Sequence, residues 1–203
     1  RVVVMKKKMA AVGLVFLGMM FLVNRACPTA HAALTVAGNK KGLLALGSAA
    51  PDFKLPDVVT GKEITLADFK DSKALLVVIL CRHCPFVQHV KEGIAKLGKD
   101  YQGKGLGSVA ISANDPAGYP EDAPEKLKEM AQTEGLVFPL LFDETQEVAK
   151  KYTAMATPDF FLFDGERKLV YRGQFDASRP KNGIPVTGKD VREAIDAVLA
   201  GSP

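Results

Sequence analysis

Two cysteines stand between an uninterrupted apolar run and a segment of helical periodicity, and this arrangement constrains the fold more than any other feature of the chain. The apolar run covers residues 74–80 (ALLVVIL), and the CRHC motif (residues 81–84) follows it directly. After Pro85, apolar residues recur at helical spacing as far as Tyr101. The pattern predicts a strand, a turn and a helix. Both sulfurs should therefore lie at a helix N-terminus, where the helix dipole and free N–H groups favour negative charge.

The first 32 residues predict a secretory signal peptide. Lysines at positions 6–8 precede an uncharged apolar stretch over residues 9–23, and the small residues Ala30 and Ala32 fit a cleavage site before Ala33. The stretch is shorter than the roughly 20 residues of a spanning helix, so cleavage is favoured over an uncleaved membrane anchor. We therefore expect an exported protein, periplasmic or extracellular, that meets a membrane only if the leader stays uncleaved.

The basic character of the chain resides in this leader. The leader holds five basic residues and no acid, which leaves 22 of the 27 lysines and arginines for the remainder, against 23 acidic residues. No basic domain remains that would indicate a nucleic-acid-binding protein.

The cysteine count points to chemistry rather than to a structural role. Cys27 leaves with the leader, so the mature chain has two cysteines, Cys81 and Cys84. In an oxidising compartment such a pair is often found as a disulfide. A bridge over so short a loop constrains the unfolded chain little, so it would be a poor structural staple.

A Cys-x-x-Cys pair admits three chemistries. A structural zinc site needs four ligands, and the chain has no second cysteine pair. A c-type haem attachment needs His after the second Cys, where Pro85 stands. A redox dithiol needs the predicted strand–turn–helix context and is favoured. Arg82 and His83, as potential cations beside the sulfurs, predict a low Cys81 pKa and a comparatively oxidising couple.

The remaining chain predicts one α/β domain. Residues 33–47 are small and Gly-rich, which indicates a flexible segment, and residues 48–203 suffice for one core. The predicted order is a hairpin followed by β, α, β, α, β, α, β, β, α, with helices on both faces of the sheet. Residues 138–142 should form a short strand. Asp122 should cap the N-terminus of the helix that follows it in the chain. Asp143 and Gln146 should form a capping box at the start of the next helix, after the strand.

A proline far from the motif is a second candidate site feature. Thr157 and Pro158 stand at the start of a predicted strand, where proline is tolerated. A cis bond there would bring the Thr157 backbone beside the cysteines and offer an edge for a bound chain, although a trans bond has the higher base rate.

These features together resemble the thioredoxin fold, and more narrowly the redoxin (AhpC-TSA) family and its peroxiredoxin-like group. The resemblance implies a central mixed sheet with an N-terminal hairpin, an insertion within residues 114–135, and a cis Pro158 in contact with Cys81. The matching segments are APDF at 50–53, CRHCP at 81–85, NDP at 114–116, YPED at 119–122, FDETQ at 142–146, TPDF at 157–160, YRG at 171–173 and SRP at 178–180.

The chain departs from the peroxiredoxin pattern. That pattern has Thr three residues and Pro seven residues before the peroxidatic Cys. If Cys84 is that residue, Cys81 and Val77 occupy those positions. The peroxidatic Arg would fall near Thr157 and Pro158, where the chain has none.

The chain also departs from thioredoxins. The buried acid expected in the strand before the motif is replaced by Leu75. Proton transfer at Cys84 would then depend on water, His83 or His89.

We therefore expect a thiol–disulfide oxidoreductase without organic cofactor or bound metal, whose partners are protein thiols, protein disulfides or a reductase. Cys81 is expected to be the exposed attacking thiolate and Cys84 the less accessible resolving thiol. Thr157 and Pro158 should form a ledge that faces the substrate. Two alternatives stay open: a thiol peroxidase with Cys84 peroxidatic and Cys81 resolving, and a module that binds Cu(I) through both cysteines and one His.

Overall fold

The computed structural model describes residues 42–202, so the predicted signal peptide and most of the predicted flexible segment lie outside the described residues. No helix within 42–202 is long and apolar enough to cross a membrane. The strands are β1 (Lys54–Pro56), β2 (Glu63–Thr65), β3 (Ala74–Ile79), β4 (Leu106–Ser112), β5 (Leu140–Phe142), β6 (Asp159–Phe163) and β7 (Leu169–Gly173). The α-helices are α1 (Pro85–Tyr101), α2 (Pro124–Glu134), α3 (Glu147–Lys151) and α4 (Lys189–Leu199).

A five-stranded sheet in the order β5-β4-β3-β6-β7 forms the centre of the domain. The three strands β3, β4 and β5 run parallel, and β6 and β7 add antiparallel neighbours, so the sheet is mixed. The hairpin β1–β2 is a separate antiparallel pair. The predicted element order and the mixed sheet with an N-terminal hairpin are confirmed.

Strand β3 is the axis of the core, since all six of its residues are buried. Leu76 and Val78 face the cluster that contains α1, α2 and α4, whereas Leu75 and Val77 face the cluster that contains α3. Full burial of each such side chain contributes about 1.5–3 kcal/mol. The chain that leaves the C-terminal end of β3 therefore starts from a firmly held position.

Helix α1 begins directly after the second cysteine. Cys84 is its N-cap residue and Pro85 its first residue, a position where the missing N–H of proline has no helical partner to lose. Val87, Val90 and Ile94 are buried on one face of the helix. This apolar face fixes α1 on the sheet and sets the direction in which the motif points.

Two predicted helix caps are wrong. Asp122 lies in a short 3-10 helix before α2, whose N-cap residue is Ala123. The N-cap of α3 is Gln146, at φ 62°, without the predicted capping box. The buried Asp143 instead accepts a hydrogen bond from the Ala149 backbone N–H at 2.9 Å. Both aspartates therefore make contacts that the spacing of helix-capping residues in the sequence does not predict.

Candidate active site

The two cysteines of the motif occupy different environments. Cys81 follows β3 and is 1% exposed, whereas Cys84 is partly exposed at the N-cap of α1. Both are free thiols. The expectation that Cys81 is the exposed cysteine and Cys84 the less accessible one is therefore wrong. The chain emerges from the sheet centre at Cys81, so that this side chain is still covered by the core, and the sulfur that reaches the surface is the later one.

Thr157 contacts both sulfurs, although it lies more than 70 residues away along the chain. Its hydroxyl Oγ1 is 3.2 Å from Cys81 Sγ, and its backbone carbonyl accepts a hydrogen bond from Cys84 Sγ at 3.2 Å. The Thr157–Pro158 peptide bond is cis, as the resemblance implied. The residues just before β6 therefore lie against the motif, and Thr157 makes a polar contact to each of the two sulfurs.

Asp122 is the residue that the sequence interpretation missed in this role. Its buried carboxylate lies beneath the motif and accepts hydrogen bonds from the backbone N–H groups of Arg82 at 2.6 Å and His83 at 3.0 Å. It also accepts from His83 Nδ1 at 2.5 Å and from the Asn114 amide at 2.8 Å. Burial opposes ionisation, but the donors from Asn114, His83 and Arg82 outweigh it and hold the Asp122 pKa below its usual range. The sequence feature that could have indicated this role is the pair of polar segments at 114–116 and 119–122, in the predicted insertion.

The His83 ring is fixed from two sides. Nδ1 is bonded to Asp122, and the ring stacks on Tyr119 with centroids 4.2 Å apart and planes 7° from parallel. Cys81 Sγ, a ring nitrogen of His83 and a carboxylate oxygen of Asp122 all lie within 4.8 Å of one another. A thiol, an imidazole and a carboxylate are thereby gathered at one point.

Arg82 points toward acidic partners on the side of α2. Its Nη1 lies 3.4 Å from a Glu121 carboxylate oxygen and 3.3 Å from one of Glu129. Burial raises the pKa of the Cys81 thiol, the Thr157 hydrogen bond offsets this in part, and the charge of Asp122 raises it further. The predicted low Cys81 pKa is therefore wrong, because the sulfur is buried near the Asp122 charge and Arg82 is paired with Glu121 and Glu129.

A cleft of about 430 Å³ opens beside the motif, between α1 and α2. It gives the outer side of the motif access to solvent, and its walls carry charges of both signs. The lining residues are Arg82, His83, Gln88, Lys91, Glu121, Glu129, Met130, Thr133 and Glu134.

His89 belongs to a different contact. Its Nε2 lies 2.7 Å from Ser178 Oγ, which donates its own hydrogen to the Ile184 carbonyl at 2.6 Å. A hydroxyl has one hydrogen to give, so Ser178 accepts and His89 Nε2 donates. This histidine joins α1 to the segment before α4.

A metal ion has a possible ligand set at Cys81, His83 and Asp122, since thiolate, imidazole and carboxylate all bind Zn²⁺. However, each Asp122 oxygen already accepts two hydrogen bonds. An ion would have to displace one of these donors. The geometry favours a hydrogen-bonded network at these residues over an ion site.

A mixed sheet with a dithiol at a strand–helix junction, faced by a cis proline, defines a redoxin of thioredoxin-like fold, and solved thioredoxin-like structures share the architecture. The chain belongs to the AhpC/TSA family, whose model matches residues 46–172.

Relatives of the chain include proteins named for two activities. A crystal structure of a hypothetical protein from Sinorhizobium meliloti is 52% identical, with a TM-score of 0.77 over 78% of this chain and 86% of that one. The thiol-disulfide oxidoreductase ResA of Geobacillus thermodenitrificans is 27% identical over 161 residues, 78% of this chain and 81% of ResA. Peroxiredoxin Bcp of Escherichia coli is 27% identical over 130 residues, 63% of this chain and 78% of Bcp. These names support an oxidoreductase.

Proposed function

We propose that the protein is a thiol–disulfide oxidoreductase that exchanges electrons with protein thiols through Cys81 and Cys84. The observation that carries the proposal is that Thr157 contacts both sulfurs, at 3.2 Å each. Both sulfurs therefore face the start of β6, and they belong to cysteines three residues apart in the sequence, the spacing of a redox dithiol. The relative named as a thiol-disulfide oxidoreductase supports the same activity.

The exposure of the sulfurs assigns their roles in this proposal. Cys84, partly exposed at the N-terminus of α1, attacks the substrate disulfide and forms a mixed disulfide, which releases the first substrate thiolate. The buried Cys81 then attacks Cys84 Sγ and releases the second substrate thiolate. The two substrate sulfurs are reduced, and the protein is left with a Cys81–Cys84 disulfide. Thr157 and Pro158 form the ledge against which the substrate chain lies.

Exposed apolar side chains around the motif support a protein as the partner. Phe86, Tyr119 and Met155 are 49%, 51% and 77% exposed. Phe86 follows Cys84 by two residues, Tyr119 stacks on His83, and Met155 precedes Thr157 by two residues. Apolar surface around a reactive group is typical of sites that bind protein chains. A substrate protein or a reductase would cover it.

Export remains part of the proposal. The basic residues 6–8, the apolar stretch and the small residues before Ala33 support a secretory leader. An oxidising compartment would keep the dithiol as a disulfide until a partner reduces it. The activity requires no organic cofactor.

Mass spectrometry after treatment with glutathione disulfide tests the dithiol. The reduced mature wild type, which lacks Cys27, is expected to lose two hydrogens and to carry no glutathione, because Cys81 displaces the adduct formed on Cys84. Cys81→Ser should retain one glutathione on Cys84. A wild type that keeps its glutathione, or a Cys81→Ser variant modified at another position, would overturn the proposal.

A thiol peroxidase is the second candidate, with Cys84 peroxidatic and Cys81 resolving. It is favoured by the partial exposure of Cys84 at a helix N-terminus and by the relative named as a peroxiredoxin. Against it, within residues 42–202 neither sulfur is hydrogen-bonded to an arginine. Peroxide consumption in the presence of dithiothreitol, lost in Cys84→Ser and retained in Cys81→Ser, would support this activity.

A further inference from the structure

We propose that His83, held in place by Asp122, is the general base that removes the proton from Cys81 in the second step of the exchange. This inference rests on the proposed function, since it concerns the step in which Cys81 displaces the substrate from Cys84. It assigns a catalytic role to His83 and a positioning role to Asp122.

Cys81 needs a base because of where it lies. Its side chain is buried, and burial raises its pKa, so the thiol stays protonated when the mixed disulfide forms. A thiol attacks a disulfide only as the thiolate. The Thr157 hydroxyl that contacts Cys81 Sγ is too weak a base for this proton. The Asp122 carboxylate is saturated by four hydrogen bonds.

His83 has the correct tautomer for the task. The Asp122 carboxylate is a hydrogen-bond acceptor, so Nδ1, 2.5 Å away, carries the hydrogen. Nε2 is then left with its lone pair free to accept a proton, as in other nucleophile–base–acid arrangements. Asn114, which donates to Asp122 at 2.8 Å, and Tyr119, which stacks on the imidazole, keep the ring in this orientation.

The His83 ring and the Cys81 thiol are close enough for one water molecule to link them. One of the two ring nitrogens lies within 4.8 Å of Cys81 Sγ, and a water molecule bound at Nε2 would carry the proton from the thiol to that nitrogen. Such contacts are commonly long before substrate binds. The motif N–H groups of Arg82 and His83 are both bonded to Asp122, so the loop that carries the base is anchored to the same carboxylate.

The Cys81 S–H bond breaks, and its proton passes to His83, which becomes an imidazolium paired with the Asp122 carboxylate. The Cys81 thiolate attacks Cys84 Sγ, forms the internal disulfide and expels the substrate thiolate. His83 then returns to its neutral form by releasing its proton to the leaving thiolate or to water in the adjoining cleft.

The groups that face the imidazole define its electrostatic surroundings. The stacked phenol and the paired carboxylate lie against the ring, and the thiol lies near it. The charged side chains of the cleft complete the surroundings. These groups are Tyr119, Asp122 and Cys81, together with Arg82, Glu121, Glu129, Lys91 and Glu134.

Stopped-flow reaction of the reduced mature protein (residues 33–203, without Cys27) with dithiobis-nitrobenzoate separates the two steps. Attack by Cys84 releases the first coloured thionitrobenzoate, and displacement by Cys81 releases the second. We expect His83→Gln to slow the second release about a hundredfold at neutral pH and to change the first less than about twofold. His89→Gln is the matched control, because it changes a histidine of α1 that is bonded to Ser178, and both its phases should match the wild type.

Two further readouts distinguish a base from a structural group. The second-phase rate of the wild type should rise at lower pH than that of His83→Gln, in which the Cys81 thiol must ionise unaided. Asp122→Asn should alter this pH profile. Added imidazole should restore the second phase of His83→Ala.

The outcomes separate this inference from the proposed function. If the wild type releases only one thionitrobenzoate, the dithiol function fails. If it releases two and His83→Gln does the same at unchanged rates, the function stands and the base assignment is overturned. Equal slowing of both phases, or no rescue by imidazole, would also overturn it.

Discussion

The Asp122 carboxylate lies 2.5 Å from Nδ1 of His83, although 39 residues separate them along the chain. Thioredoxin-like proteins are expected to carry a buried acid in the strand before the motif, where this chain has Leu75. Here a buried carboxylate reaches the motif from the 3-10 helix before α2. The CRHC motif and this connection therefore form one site.

The two cysteines should differ in reactivity. We expect iodoacetamide to modify Cys84 at least about tenfold faster than Cys81 in the folded protein, since reactivity follows access and Cys81 is buried. Peptide mapping after short exposures measures both rates. In denaturant the difference should disappear. Faster modification of Cys81 in the folded state would contradict the assigned roles.

Asp122→Asn should destabilise the domain and shift the Cys81 pKa. Loss of a fully satisfied buried acceptor costs about 1–3 kcal/mol of unfolding free energy. Removal of its charge should lower the pKa of Cys81, because that charge is one of the factors that raise it. Denaturant titration and thiolate absorbance measure the two effects. Asp115→Asn, which removes the same charge from an exposed residue of the neighbouring loop, should leave both unchanged.

The Thr157 hydroxyl should make the Cys81 thiol more acidic. Its hydrogen bond lowers the pKa of Cys81, so Thr157→Val should raise this pKa further. The loss of one such bond corresponds to a roughly 2–10-fold slower second phase with dithiobis-nitrobenzoate. Thr157→Ser retains the hydroxyl and should behave as the wild type. A Val variant that equals the Ser variant in both pKa and rate would show that the hydroxyl has no such role.

Acid should destabilise the domain partly through Asp176. Burial opposes ionisation, but the N–H groups of Gly188, Thr187 and Ser178 outweigh it and lower its pKa. A carboxyl whose pKa is lower in the folded state stabilises the fold above its unfolded pKa of about 3.9, and this stabilisation is lost as pH falls through the folded value.

We therefore expect the unfolding free energy to decrease as pH falls below about 4. Asp176→Asn should be less stable near neutral pH and should lose less on acidification. Urea titrations at a series of pH values measure this dependence. Parallel pH profiles for the two proteins would contradict the assignment.

The regular elements could be predicted where hydrophobic periodicity is strong. Helix α1 has the predicted bounds, because it buries a regular set of apolar side chains. Strand β5 begins at Leu140 instead of Phe138, since Pro139 has no N–H to give to a sheet. Element type follows from local pattern, whereas strand ends depend on individual backbone donors.

The site was predicted less completely, because its chemistry depends on contacts between distant segments. The motif and Thr157 could be named from their residue types. The burial of Cys81 depends on how the chain leaves the sheet, and the pairing of Arg82 with Glu121 and Glu129 depends on the position of α2. Asp122 resembled a helix cap in the sequence, and only the fold brings it to His83.

The most direct test of the central claim is to trap mixed disulfides in the native compartment and to identify the linked cysteine by mass spectrometry. With Cys84 as the attacking sulfur and Cys81 as the resolving one, Cys81→Ser should accumulate complexes with partner proteins linked through Cys84, and Cys84→Ser should accumulate none. Complexes that accumulate in Cys84→Ser, linked through Cys81, would contradict the account.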